Sequence, residues 1–224
     1  FSYNPGEPVL SNVSFSVAAG EKLAIVGPTG SGKSTLIRLL GRFYDFSDGS
    51  IFLDGIDLNQ ILSRELRQRV GVVLQDFHVF SGSIYENISL GNPLVTKKKA
   101  QEAALITNAH DFISRLPQGY DTVMLERGAN LSHGQRQLLA FARVLAADPE
   151  VLVLDEATAS VDTETELLIE KGLESLIQNR TAILIAHRLQ TVRKSDRILV
   201  LNEGKVAEFG TEKELLSNRD LYHK

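Results

Sequence analysis

Cysteine is absent from the 224 residues. That excludes a disulfide framework, a Cys-ligated zinc site and a thiol nucleophile, and it fits a reducing compartment. Long apolar runs are missing as well. The longest, such as Val151-Leu152-Val153-Leu154 and Ala182-Ile183-Leu184-Ile185-Ala186, fall far short of the roughly 20 apolar residues a membrane-spanning helix needs. No signal-peptide pattern opens the chain. Position 1 is Phe and the single methionine is Met124, so the sequence is expected to begin inside a longer protein. A basic excess is also lacking: 24 Lys and Arg stand against 28 Asp and Glu, a formal charge of −4. That speaks against a general nucleic-acid binder. What is present is ordinary for a globular protein. Apolar residues make up 43% and charged residues 23%, enough to bury a core in one large domain or two closely joined lobes.

Periodicity divides the chain. Residues 9–17 alternate apolar and polar near their end, which predicts a half-buried strand. Lys22–Val26 reads as a short strand, Lys33–Leu40 as a helix ending near Gly41, Ser50–Leu53 as a strand before an Asp54-Gly55 turn, and Val70–Leu74 as another strand. From about 84 to 147 the pattern is helical, broken in the middle by Pro117 and Gly119. Strand signals resume at 151–154, 182–185, 197–201 and 205–208. A helix at about 163–178 is predicted to start with a capping box, Thr163 with Glu166. Buried strands alternating with helices predict an α/β fold with a mainly parallel sheet. The chain is expected to be one domain, with 1–75 and 148–224 as core and 76–147 as a helical insertion.

Gly27-Pro28-Thr29-Gly30-Ser31-Gly32-Lys33-Ser34 matches G-x-x-x-x-G-K-[ST] between a strand and a helix. The glycines let the backbone turn tightly and aim N–H groups at an anion. The helix start adds partial positive charge. Lys33 can reach β- and γ-phosphates, and Ser34 can place its hydroxyl on Mg²⁺. Val151–Leu154 then runs into Asp155-Glu156, two carboxylates at a strand's carboxyl end, where such sheets bind ligands. Asp155 suits a Mg²⁺ shell and Glu156 an attacking water. No Asn-Lys-x-Asp tetrad for reading guanine is present.

Leu131-Ser132-His133-Gly134-Gln135, about 20 residues before the acidic strand, resembles the Leu-Ser-Gly-Gly-Gln signature of ATP-binding cassette (ABC) ATPases. With the order and spacing of the other motifs, nearly the whole chain resembles the nucleotide-binding domain of an ABC transporter. The resemblance implies a P-loop NTPase core of RecA-like type, a small antiparallel β subdomain and an inserted helical subdomain carrying the signature. It implies ATP as substrate with Mg²⁺, and a head-to-tail pair of such domains around two nucleotides. Ser132, Gly134 and Gln135 would then face the γ-phosphate held by the partner's Gly27–Thr35 segment, Thr35 included. Gln75 resembles the Q-loop residue beside metal and water. Asp162, in Ser160-Val161-Asp162, resembles the D-loop and is equally a helix cap. His187 resembles the switch histidine that bonds the γ-phosphate and helps fix Glu156. Tyr3 resembles the aromatic that stacks on adenine, with Phe1 as the alternative. His133 replaces the usual Gly and is expected to be solvated.

Glu126-Arg127-Gly128 resembles the X-loop of ABC exporters, whose first Gly is absent here. Phe77, Phe80, Ile84, Tyr85 and Ile88 form an apolar cluster that is either core or, in part, a seat for a membrane domain's coupling helix. The exporter resemblance implies a transmembrane domain, N-terminal in the same polypeptide, and a place on the cytoplasmic side of a membrane. Two other classes remain open: the ATPase of an importer, and an ABC ATPase of DNA repair or chromosome maintenance. No heptad run occurs in the 120 residues between Ser34 and Asp155, which weighs against the latter. Transported substrate and identity of the partner domain are not written in these residues.

Overall fold

In the computed structural model, residues 1–46, 48–74, 78–125, 128–155, 163–186, 189–218 and 221–223 are described. In chain order they form β1 (Lys22–Val26), α1 (Lys33–Leu40), β2 (Phe52–Leu53), β3 (Ile56–Asp57), α2 (Ser63–Arg69), β4 (Val70–Val73), β5 (Gly82–Ser83) and α3 (Ile84–Ser89). There follow α4 (Lys97–Ile106), α5 (His110–Ser114), β6 (Val123–Met124), α6 (His133–Ala147), β7 (Val151–Asp155) and α7 (Thr163–Ile177). The last elements are β8 (Thr181–Ile185), α8 (Leu189–Arg193), β9 (Arg197–Asn202), β10 (Lys205–Gly210) and α9 (Glu212–Asn218). Two compact units result: 1–72 with 150–156 and 179–224, and 73–149 with 157–178.

The first unit is built on a six-stranded sheet in the order β10-β9-β1-β8-β7-β4. β1 pairs in parallel with β8 and β9, β7 with β8 in parallel, and β10 returns antiparallel on β9. The short apolar runs explain this. Parallel strands buried on both faces need unbroken Val/Ile/Leu stretches, and Leu23, Ala24, Ile25, Leu152, Ala182, Leu184 and Ile185 are all fully buried. β2 and β3 form a separate antiparallel hairpin. Its turn, Asp54 (φ 51°) and Gly55 (φ 79°), places both central residues in the left-handed region, as a two-residue hairpin requires.

Residues 9–17 depart from the expectation of a strand. Burial does alternate, with Val13, Phe15 and Val17 half-buried and Ser14 and Ser16 exposed, but no ladder includes them. Alternation records an extended chain lying on a surface; a strand also needs a backbone partner along its length. Here Ser11 N donates to Gly204 O at 2.8 Å, and the Phe15 ring meets Phe209.

The second unit is helical. α6 packs on α3, α4 and α7, burying Leu138, Leu139, Phe141, Ala142 and Leu145. α7, kept with the sheet in the sequence reading, has its contacts with α4 and α6. A Cβ on Gly134 would lie 2.1 Å from Thr165 Cγ2, so only glycine permits the approach of α6 to α7. Thr163 is already the first helical residue of α7, whereas capping boxes form at Ser83/Glu86 and Ser132/Gln135. A two-stranded β5–β6 ladder lies within the predominantly helical segment.

Candidate functional site

The sheet register places the first groups. Ile25 lies opposite Ile185, and Ile185 opposite Asp155. The segment after β1 and the carboxylate ending β7 therefore share the carboxyl edge of the sheet. Two strand spacings separate their backbones, roughly 10 Å. Between β1 and α1 the chain makes a bend that glycine alone can follow at its tightest point. Gly27 has φ 148°, and a Cβ there would sit 2.0 Å from Leu201 O. Ser31 N closes the bend on Pro28 O at 3.2 Å, and Gly204 N holds Ser31 O at 3.1 Å.

α1 starts without a capping side chain and without an acidic residue in its first turn. Its leading N–H groups and partial positive charge are left for an anion. Lys33 Nζ donates to Gly27 O at 2.8 Å and Pro28 O at 2.9 Å, so the ammonium lies folded onto the bend. Burial lowers the Lys33 pKa below its ordinary value, and the nearby Asp155 carboxylate opposes that shift. Pro28, Thr29, Gly30 and Ser34 are exposed, whereas Ser31 is buried. Ser31 Oγ has no hydrogen-bond partner, an orphan at the centre of the cradle.

Thr35 is buried and turned away from the bend: its Oγ1 accepts from the Tyr3 hydroxyl at 3.2 Å. Tyr3 is 42% exposed and meets two further rings edge-on, Phe1 at 5.0 Å and Tyr44 at 5.1 Å. Tyr44 and Arg38, whose pKa is raised first by its hydrogen bond with Tyr3, escaped the sequence reading. The only available signal was an aromatic pair, Phe43-Tyr44, directly after the helix.

In the helical unit, Ser132 caps α6. Its Oγ accepts from Gln135 N at 3.2 Å, and Gln135 Oε1 accepts from Ser132 N at 2.9 Å. Accepting leaves the Ser132 hydroxyl proton for another acceptor. Ser132 is exposed, Gln135 half-buried, and Gly134 buried against Thr165. His133 is half-buried rather than solvated. Gln75, Glu156, Asp162 and His187 lie outside the described residues, as do Phe77, Glu126 and Arg127.

A second polar network was also invisible in the sequence. Asn87, 1% exposed, accepts Phe80 N on Oδ1 at 2.8 Å and donates Nδ2 to Phe80 O and Ser83 O. Arg143 Nε donates to Asn87 O and Nη1 to His78 O, both at 2.8 Å. Burial pushes Arg143 down to about 10. The network fixes residues 78–83 and leaves Phe80 half exposed under the Arg143 guanidinium. Ile84 and Ile88 are core, and Tyr85 is half-buried with its hydroxyl on Val95 O.

For a divalent cation, the donors at hand are the Ser34 hydroxyl and the Asp155 carboxylate, hard oxygens of the kind Mg²⁺ takes. Among the described residues no group of three or more His, Cys, Asp or Glu forms a cage. The orphaned Ser31 hydroxyl and the glycine-only bend fit a polyanion in the cradle.

A family model described as "ABC transporter" matches residues 10–159. An uncharacterised ABC transporter ATP-binding protein of Bacillus subtilis is 48% identical over 99% of this chain, which covers 37% of that protein. A putative multidrug export ATP-binding/permease protein of Staphylococcus aureus is 45% identical over 99% of the chain and 39% of its own length. The structure of a bacterial Atm1-family ABC exporter with ATP bound superposes with a TM-score of 0.91, at 45% identity, over all of this chain and 39% of that one. The chain thus spans under two fifths of the relatives it matches. Motif order, sheet topology and these likenesses agree: the chain is a nucleotide-binding P-loop domain of the ABC transporter family.

Proposed function

We propose that this chain binds and hydrolyses ATP to drive export across a membrane, as one of two nucleotide-binding domains of a transporter. One observation carries the reading. The uncapped start of α1, the glycine-only bend and the Lys33 ammonium converge at the sheet edge that also bears Asp155. That set suits a triphosphate.

Lys33 exchanges its two backbone carbonyls for phosphate oxygens, and the α1 N–H groups hold the β-phosphate. Ser34 and Asp155, with Gln75, would hold Mg²⁺, which would supply neutralisation of the phosphate charge. Glu156 orients a water in line with the γ-phosphorus, and His187 fixes the pair. The new P–O bond forms to that water, the bond to the β–γ bridging oxygen breaks, and ADP and phosphate leave. Tyr3 carries the adenine. A second domain's Ser132 donates its hydroxyl proton to the γ-phosphate from a capped helix start, with the Gly134 and Gln135 backbone beside it. Asp162 crosses toward the partner. Each domain holds half of each site, so ATP acts as glue.

The partly exposed Phe80 favours the coupling reading, in which a transmembrane domain of the same polypeptide seats a helix there. No helix among the described residues is long and apolar enough to cross a membrane. By likeness to the exporters, the domain would work on the cytoplasmic side. The likeness to exporters favours export over import.

Steady-state hydrolysis tests the roles. Glu156→Gln is expected to retain Mg·ATP binding while turnover falls about 10²- to 10⁴-fold. Lys33→Ala is expected to lose thermal stabilisation by Mg·ATP. Normal turnover by Glu156→Gln would remove that residue from its role.

A further inference from the structure

Tyr3 is held by more than a strand would require. Its hydroxyl donates to Thr35 on α1, and Arg38 lies one turn further along the same face of that helix. Its ring stands nearly perpendicular to those of Phe1 and Tyr44, the interplanar angles being 85° and 80°. Phe1 and Tyr44 also meet each other, at 6.0 Å. Perpendicular neighbours pack against a ring without stacking parallel on it, and Tyr3 stays 42% exposed.

Tyr44 is in turn fixed to α1. After Gly41 the chain turns through Arg42 in the left-handed region, φ 49°. Phe43 N donates to Arg38 O and Arg42 N to Leu39 O, both at 2.9 Å. This is the two-bond Schellman ending of a helix, with arginine where glycine is usual. Arg42 secures the turn by donating Nη1 to Leu58 O and Ile61 O. The helix that offers its start to phosphate therefore also presents, from its middle and its end, the groups that brace Tyr3.

We infer that Tyr44 is a positioning residue for base recognition: it holds the Tyr3 ring edge-on, so that a planar base finds a preformed platform in fixed register with the phosphate cradle. The inference rests on the nucleotide-binding reading and adds to it a residue that never touches phosphate.

Calorimetry on the 224-residue chain tests this with two probes, Mg·ATP and inorganic tripolyphosphate with Mg²⁺. An edge-on aromatic contact has an energy that corresponds to a change in affinity of about two- to tenfold. Tyr44→Ala is expected to weaken Mg·ATP by that factor and leave tripolyphosphate unchanged, with Tyr44→Phe restoring wild-type affinity for ATP. Tyr44→Leu, which keeps apolar bulk without a ring, is expected to behave as the alanine variant and guards against poor folding of the latter. Equal losses for both probes, or no loss for either, would overturn the positioning role. A wild-type chain that binds tripolyphosphate no worse than ATP would overturn base recognition by Tyr3 and Tyr44 alike. Failure of wild type to bind either probe would overturn the nucleotide reading itself.

Discussion

Arg143→Met should unfasten the segment that carries Phe80. Arg143 makes two short charge-assisted bonds, to Asn87 O and His78 O, each 2.8 Å, and a longer one of 3.3 Å to Asn87 Oδ1. Bonds of this kind contribute roughly 1.5–3 kcal/mol each. Against them stands burial, which pushes the guanidinium well below its ordinary value, down to about 10, a cost of about 3 kcal/mol for the charged form. Methionine removes that cost but leaves the Asn87 carbonyl without its donor, at a residue only 1% exposed. An unsatisfied buried acceptor costs about 1–3 kcal/mol. The exposed His78 regains water. The lost bonds and the orphaned acceptor, less the relieved burial, leave a loss of about 1–6 kcal/mol, or at least roughly 2–4 °C in melting temperature for a chain of this size. Arg143→Lys should not rescue it, because a single ammonium lacks the planar fork that reaches both the Asn87 carbonyl on α3 and the His78 carbonyl. Thermal denaturation reads the global effect, and hydrogen exchange at Phe80 N reads the local one, since that amide is held by Asn87. A melting temperature within about 2 °C of wild type, full rescue by lysine, or unchanged protection at Phe80 would refute the reasoning.

Two further outcomes follow from single groups. Ser31→Ala removes a buried hydroxyl that has no partner, so the nucleotide-free protein should melt no lower than wild type, while its stabilisation by Mg·ATP shrinks; a drop of several degrees without nucleotide contradicts this. Burial raises the Tyr120 phenol from 10.0 to about 12, and it lies 2.9 Å from His110 Nδ1. Below pH 10 the phenol is neutral in both states. From pH 10 to about 12 the unfolded chain ionises first, so stability falls as pH rises. Tyr120→Phe should flatten denaturant-measured stability over that window, and an unchanged slope would show that Tyr120 is not its source.

The phosphate cradle was legible because its geometry admits few residues. Gly27 faces a backbone oxygen where no side chain fits, and that requirement shows in the sequence as glycine at fixed spacing. The central strands were legible for a related reason: burial on both faces demands short unbroken apolar runs. Residues 9–17 show where patterning stops. Their alternation is real in burial, but pairing depends on what lies alongside. α7 likewise has an apolar stripe that says it packs without saying on what. Asn87 and Arg143 read as a polar residue in a short helix and a charge in the apolar part of a longer one. Only their proximity across 56 positions makes them a clamp. Tyr44 has the same history, since its partners Phe1 and Tyr3 lie more than forty positions away.

The central proposition is that two copies complete each other's site around ATP. Sedimentation equilibrium on Glu156→Gln, which should bind ATP without consuming it, tests this most directly. Monomer mass is expected without nucleotide, twice that mass with Mg·ATP, and a return to monomer when Ser132→Arg is added. A chain that binds Mg·ATP in full and stays at monomer mass at every accessible concentration would contradict it.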